Sequence, residues 1–183
     1  MDSTKILIRG IAGGDRNAFG QLYRVLQSPM LRYATGLLAG DRAAAEDAVD
    51  EAFAAVWQQA DRFSGSGSAD GWVRRIVRNK AIDLVRRNRE TGIGTDSQSW
   101  LDHTPSDGPS PFDSAVNQSD REWLGAAMAQ LSPDHRETLW LCYYEERPLA
   151  QIAEIMECPE NTVKTRLFHA RKQLRGVLNA AAA

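Results

Sequence analysis

Residues 131–175 read LSPDHRETLWLCYYEERPLAQIAEIMECPENTVKTRLFHARKQLR, and this stretch decides the fold. Ser132 is placed to cap a helix, with Pro133 at its first position and Asp134 near its positive end. Leu139, Trp140, Cys142 and Tyr143 supply that helix with an apolar side. Pro148 opens a short helix carrying Ile152, Ala153 and Ile155, and Glu157-Cys158-Pro159 turns the chain. The last helix sets Val163, Leu167, Ala170 and Leu174 on one side. Its other side holds Asn161, Thr162, Lys164, Thr165, Arg166, Phe168, His169, Arg171 and Lys172. A short amphipathic helix, a tight turn and a helix with a basic outer face are the parts of a helix-turn-helix, whose second helix enters the DNA major groove. Arginine and lysine reach guanine or phosphate, and asparagine and threonine reach base edges from the first turn.

Upstream, helical periodicity fills a second block, from about Asp15 to Asn88. Asp15 is an expected N-cap, followed by Ala18, Phe19, Leu22, Tyr23 and Leu26. Pro29 is expected to restart a helix, Gly40 to end it, and Asp41 to cap the next. That helix has an unbroken apolar stripe from Ala45 to Trp57. On another side it crowds Glu46, Asp47, Asp50 and Glu51, like charges four residues apart that repel by roughly 0.2–0.5 kcal/mol per pair. Such a face suits a basic or polar partner, or is simply solvated. After a Gly/Ser loop between Asp61 and Gly71, a basic helix opens at Trp72. Arg62, Phe63 and Ser64 precede it, and Arg74, Arg75, Arg78, Asn79 and Lys80 lie on it. Aromatics beside cations suit single-stranded nucleic acid, where bases stack and charges track phosphate. The alternative puts Trp72 in the core and the arginines in solvent.

From Asn88 to Asp120 periodicity stops, and Gly, Ser, Pro and Asp recur. The composition predicts a mobile linker on which Trp100, Leu101 and Phe112 are expected to dock. The net charge of −2 argues mildly against a free-standing DNA binder, but its distribution says more. Two cationic helices flank an acidic spacer with Asp96, Asp102, Asp107, Asp113 and Asp120. No apolar run approaches the roughly 20 residues that span a bilayer, and no secretory signal opens the chain. Cys142 and Cys158 read as free thiols in a reducing cytoplasm. No catalytic site emerges. His103, His135 and His169 are scattered, no metal-ligand or phosphate-loop spacing occurs, and the carboxylates fall in acidic faces rather than apolar settings. Neither a cofactor nor an enzymatic activity is expected.

Three motifs, AEDAVDEAFAAVW (45–57), WVRRIVRNKAIDLVRR (72–87) and the 131–175 stretch, resemble in order and spacing regions 2 and 4 of bacterial sigma-70 RNA polymerase factors. With little but a linker between, the chain is similar to the extracytoplasmic-function (ECF) branch. The resemblance implies an all-α fold of two small helical domains, 1–90 and 121–183, joined by the acidic linker 91–120. It implies that Glu46, Asp47, Asp50, Glu51, Phe53 and Trp57 bind core polymerase. It implies minus-ten recognition and capture of unpaired bases by Arg62, Phe63, Ser64, Trp72, Arg75, Arg78, Asn79 and Lys80. The residues Asn161, Thr162, Lys164, Thr165, Arg166, Phe168, His169, Arg171 and Lys172 would read the minus-thirty-five element. Core polymerase, promoter DNA and an anti-sigma factor are the implied partners, in the cytoplasm and without membrane insertion. The linker resembles the segment that threads toward the polymerase active-site channel. Fully extended, thirty residues reach roughly 100 Å, enough for elements about 70 Å apart. Glu157 and Asn161 stand where many members have glycine. On the residues alone, a stand-alone helix-turn-helix regulator and a protein-interaction module without DNA stay open as alternatives.

Overall fold

A computed structural model describes residues 3–90 and 118–181 of the chain. All regular elements among them are helical: α1 (Ser3–Ala12), α2 (Arg16–Leu37), α3 (Arg42–Gln59), α4 (Ala69–Glu90), α5 (Gln118–Ala129), α6 (Pro133–Leu139), α7 (Leu149–Ile155) and α8 (Glu160–Ala181), with a 3-10 turn at Ala60–Arg62 and a π-type turn at Trp140–Tyr144. Helices α1–α4 pack as one bundle and α5–α8 as a second. The linker expectations at Trp100, Leu101, His103 and Phe112 lie outside the described residues.

The expected caps form. The Asp15 carboxylate accepts from the amides of Asn17 and Ala18 at 2.8 and 3.2 Å, and Asp41 accepts from Ala44 at 3.0 Å. Ser132 accepts from His135 at 3.3 Å and starts α6. Each cap satisfies amides that the helix cannot pair itself. Two expectations change. Pro29 does not restart a helix: α2 runs through it. The amide it lacks would have paired with the carbonyl of Val25, which lies on an exposed part of α2 where water can serve instead. The bundle also begins earlier than Asp15, because α1 lays Ile8 and Ile11 into the core. Exposed Ile6 on its other side blurs the apolar period that would have announced this helix.

The first core is made by Leu22, Leu26, Met30, Tyr33 and Leu37 of α2, the stripe Ala45, Ala48, Val49, Ala52, Phe53 and Val56 of α3, and Val73, Val77 and Ala81 of α4. Full burial of one such aliphatic side chain stabilises by roughly 1.5–3 kcal/mol. The second core joins Leu131, Leu139 and Leu141 to Ile152, Ile155, Val163, Leu167 and Ala170. The two cores run together, since α4 packs on α7 and α2 packs on α6. Arg136 joins them through the backbone. Its guanidinium donates to the carbonyls of Met128, Ala129 and Leu131 around the end of α5, and to Leu37 at the end of α2. These are carbonyls that helix ends leave without internal partners.

Replacing either carboxylate cap, Asp15→Ala or Asp41→Ala, is expected to lower stability by about 1 kcal/mol, read as a lower urea midpoint with an unchanged slope.

Candidate nucleic-acid and polymerase interfaces

Helix α3 shows the edge of an aromatic cluster on the surface of the first bundle. Tyr23 lies 4.8 Å from Phe53, and Phe19 lies 5.5 Å from Trp57, ring centre to ring centre. Trp57 is 38% exposed, whereas Phe53 is buried. The burial of Phe53 corrects its reading as a contact residue: it packs inside the bundle against Phe19 and Tyr23. Asp47 and Asp50 are exposed, and no ion pair engages them among the described residues. Glu46 pairs with Arg42 at 2.8 Å. Glu51 receives Lys80 at 3.2 Å and Arg87 at 3.5 Å. The Lys80 hydrogen bond holds the Glu51 carboxyl below its usual range. Those cross-helix cations offset part of the like-charge repulsion read from the sequence.

The Gly/Ser loop after Arg62 is held from several sides. Lys5 of α1 donates to the Gly65 carbonyl at 3.0 Å, and the hydroxyls of Ser64 and Ser66 pair at 2.7 Å. Phe63 and Trp72 flank the loop half-buried, their rings 5.4 Å apart. Arg62, Ser64 and Asn79 are exposed.

The arginines of α4 have other partners. Arg75 pairs with Glu157 at 3.2 Å. Arg78 donates to Glu137 at 2.7 Å and to Asp134 at 3.1 Å, both on α6. Arg74, only 2% exposed, pairs with Glu145 at 2.6 Å and stacks over the Tyr33 ring at 4.8 Å. Arg147 closes a ring of alternating charge by reaching Asp70 at 2.7 Å and Glu145 at 3.3 Å. Burial acts to lower the Arg147 pKa, but these two carboxylates outweigh it and raise the value.

Glu137 sits at the centre, 0% exposed, with Tyr33 donating its hydroxyl at 2.5 Å. This overturns the reading that no carboxylate occupies an apolar setting. Burial pushes the Glu137 carboxyl above its ordinary value against the pull of Arg78. Burial, reinforced by Glu137, pushes the Tyr33 hydroxyl well above its own. Nothing local in DHRETL distinguishes Glu137 from a solvated helix glutamate. The signal lies in Tyr33, Arg74 and Arg78, far away in sequence.

In the second bundle α8 buries Val163, Leu167 and Ala170 and turns Asn161, Lys164, Thr165, Phe168, His169, Arg171 and Lys172 outward. Phe168 is 64% exposed. Thr162 is half-buried, and half-buried Arg166 pairs with Asp134 at 2.7 Å. Tyr143, expected on an apolar side, is instead exposed beneath the Arg171 guanidinium, 5.6 Å away. The π-type turn shifts the face that Tyr143 would have shared with Leu139. The turn residue Glu157 has φ 50°, a left-handed conformation in which glycine is unstrained.

The Sigma-70 region 2 family matches residues 22–91, and the Sigma-70, region 4 family matches residues 121–174. The chain is an ECF sigma factor of the sigma-70 family. It is 33% identical over 170 residues to the ECF RNA polymerase sigma factor SigL of Mycobacterium tuberculosis, covering 92% of this chain and 93% of that one. It is 27% identical over 174 residues to SigW of Bacillus subtilis, covering 92% of each. Among solved structures, the sigma factor RpoE in complex with the anti-sigma factor NepR from Bartonella quintana matches at TM-score 0.65 and 25% identity, covering 88% of this chain and 96% of that one. CnrH in complex with the cytosolic domain of CnrY shares the fold at TM-score 0.69 and 22% identity, covering 98% and 99%. As a sigma factor the chain serves transcription initiation, and both alternatives left open by its residues are set aside. No described helix of this sigma factor is long and apolar enough to cross a membrane.

The Glu137→Gln amide keeps an oxygen to accept from Arg78, and its N–H can turn to the Tyr33 oxygen. Glu137→Gln is therefore expected to cost under about 1.5 kcal/mol. Glu137→Ala leaves the Tyr33 hydroxyl without its acceptor and the Arg78 guanidinium with Asp134 alone, and should cost about 3 kcal/mol. Urea unfolding of the pair, side by side, distinguishes a satisfied buried acceptor from a merely packed side chain.

Proposed function

We propose that this sigma factor docks on core polymerase through α3 and holds promoter DNA at two places, α8 on the minus-thirty-five duplex and the 62–80 region on the minus-ten element. The observation that carries the reading is the division of α8, with Val163, Leu167 and Ala170 buried and a polar, cationic face left outward behind a short helix and tight turn. An α-helix so presented fits the major groove. Lys164, Arg171 and Lys172 match phosphate or guanine, and Asn161 and Thr165 match base edges.

On α3, Asp47, Asp50 and Trp57 offer an acidic and aromatic contact, with Glu46 and Glu51 at its margin and Phe19 packed edge-on against both Trp57 and the buried Phe53. Phe63, Ser64 and Trp72 suit an unpaired base, and Arg62, Asn79 and Lys80 suit the backbone beside it. Capturing separated bases shifts the duplex-to-open equilibrium by binding energy alone, with no covalent step. The working units are residues 1–90 and 121–183, with 91–120 threading polymerase between them. The likeness to the sigma factor RpoE in complex with the anti-sigma factor NepR supports control by such an inhibitor. A stress or extracytoplasmic regulon, read in the cytoplasm, fits the ECF branch.

Lys164→Ala is expected to weaken promoter recruitment of holoenzyme by about tenfold with core affinity unchanged. Equal loss of both in paired pull-down and footprint assays would remove α8 from its role. Charge reversal at Asp50 and Glu51 is expected to reduce core binding. Asp50→Lys is the cleaner variant, because Glu51 already serves Lys80 and Arg87. Unchanged affinity for core enzyme in titration would rule out α3 as the docking helix.

A further inference from the structure

Tyr143 is a large ring left 48% exposed on the second bundle. The chain that carries it is firmly held. The Trp140–Tyr144 turn closes through the Glu145 amide, which donates to the Trp140 carbonyl at 3.2 Å, one residue further back than in an α-helix. The Trp140 and Tyr144 rings stack at 4.0 Å, and the Trp140 indole donates to Glu145 at 3.2 Å. The Trp140 ring also lies against Gly36 of α2, where a Cβ would overlap it. From this fixed turn Tyr143 projects under the exposed Arg171 of α8, with the guanidinium 5.6 Å from its ring centre. Phe168, 64% exposed, stands about one turn before Arg171 on the same face.

Arg166 and Arg171 differ in what they keep free. Arg166 uses its N–H groups within the chain, one on Asp134 at 2.7 Å and another toward the Cys158 sulfur at 3.8 Å. Arg171 meets the face of a ring, which takes none of its N–H groups. Among the described residues no hydrogen bond or ion pair engages it. A loose arginine side chain carries about 2 kcal/mol of rotamer entropy, and a ring beneath it narrows that freedom before any ligand arrives. Position along the helix selects the ligand. Arg171 stands ten residues after Asn161, about 15 Å along the axis, whereas a major groove is about 12 Å wide. When the Asn161 end enters the groove, Arg171 is carried to its wall, where the phosphates run. We propose that Tyr143 is a positioning residue for Arg171, holding its guanidinium as a clamp on one backbone phosphate at the edge of the minus-thirty-five duplex. The inference rests on the reading of α8 as the minus-thirty-five helix. It adds a residue from outside α7 and α8, and it gives Arg171 phosphate rather than guanine.

The test uses full-length chain with saturating core enzyme, and a minus-thirty-five duplex that the wild-type holoenzyme selects from a randomised library. Arg171→Ala should flatten the dependence of log affinity on log salt by about 0.9, the loss of one phosphate contact, with base preference unchanged. An altered base preference at an unchanged slope overturns the phosphate assignment. Tyr143→Leu should weaken binding about threefold, and Tyr143→Phe, which keeps the ring face, should bind like wild type. In the Arg171→Ala background, Tyr143→Leu should have no further effect. A full loss in that background, or Tyr143→Phe as weak as Tyr143→Leu, overturns the positioning role. Arg171→Lys keeps the charge without the planar stack and leaves the turn untouched; it should also bind about threefold more weakly, and wild-type affinity overturns the role again. The reading of α8 fails separately. If Lys164→Ala and Arg171→Ala both keep wild-type affinity and slope, α8 is not the minus-thirty-five helix. If only Arg171→Ala does, α8 stands and the clamp is removed.

Discussion

The arrangement of this sigma factor depends on one buried carboxylate. Glu137 enters the boundary between the bundles with no access to water and is acceptable there because Tyr33 and Arg78 both donate to it. An ionised carboxylate without such partners would cost several kcal/mol. With them it fixes α6 against α2 and α4 in one register. The remaining polar contacts fall around it. Asp134 shares the Arg78 guanidinium, Arg136 caps carbonyls on both sides, and the Asp70–Arg147–Glu145–Arg74 ring lies further along α4.

The same guanidinium groups face two kinds of partner. Arg74, Arg75 and Arg78 meet carboxylates of the second bundle, and their geometry would equally suit phosphate. This is a natural property of arginine, whose planar fork accepts either anion in similar geometry. The α3 surface has no such second use. Its acidic residues meet cations of their own bundle only at its margin, through Arg42, Lys80 and Arg87, and Asp47 and Asp50 stay open.

Much of the fold was legible because its causes are local. The caps at Asp15, Asp41 and Ser132 and the stripes from Ala45 to Val56 and Val163 to Ala170 are written within one or two helical turns. The division of α8 into inner and outer faces follows from the same spacing. What escaped has causes elsewhere in the chain. Helix α1 carries apolar residues on two faces, so its period is blurred. Pro29 is tolerated because the carbonyl it abandons faces water. Phe53 and Trp57 share a stripe, and only the tertiary arrangement decides which of them is covered. Glu137, Arg74 and Arg136 look like surface charges in sequence, and they are buried because complementary groups arrive from far away. The sites were legible as residue types, but their engagement with one another was not.

The hold of α1 on the glycine-rich loop carries a consequence of its own. Lys5 grips the loop at Gly65, and Ile8 and Ile11 anchor that helix in the bundle. A segment of such composition would otherwise sample many shapes. Spliced to a distant splint, it meets any visiting strand with less disorder left to lose, and the encounter gains in tightness without a single added contact.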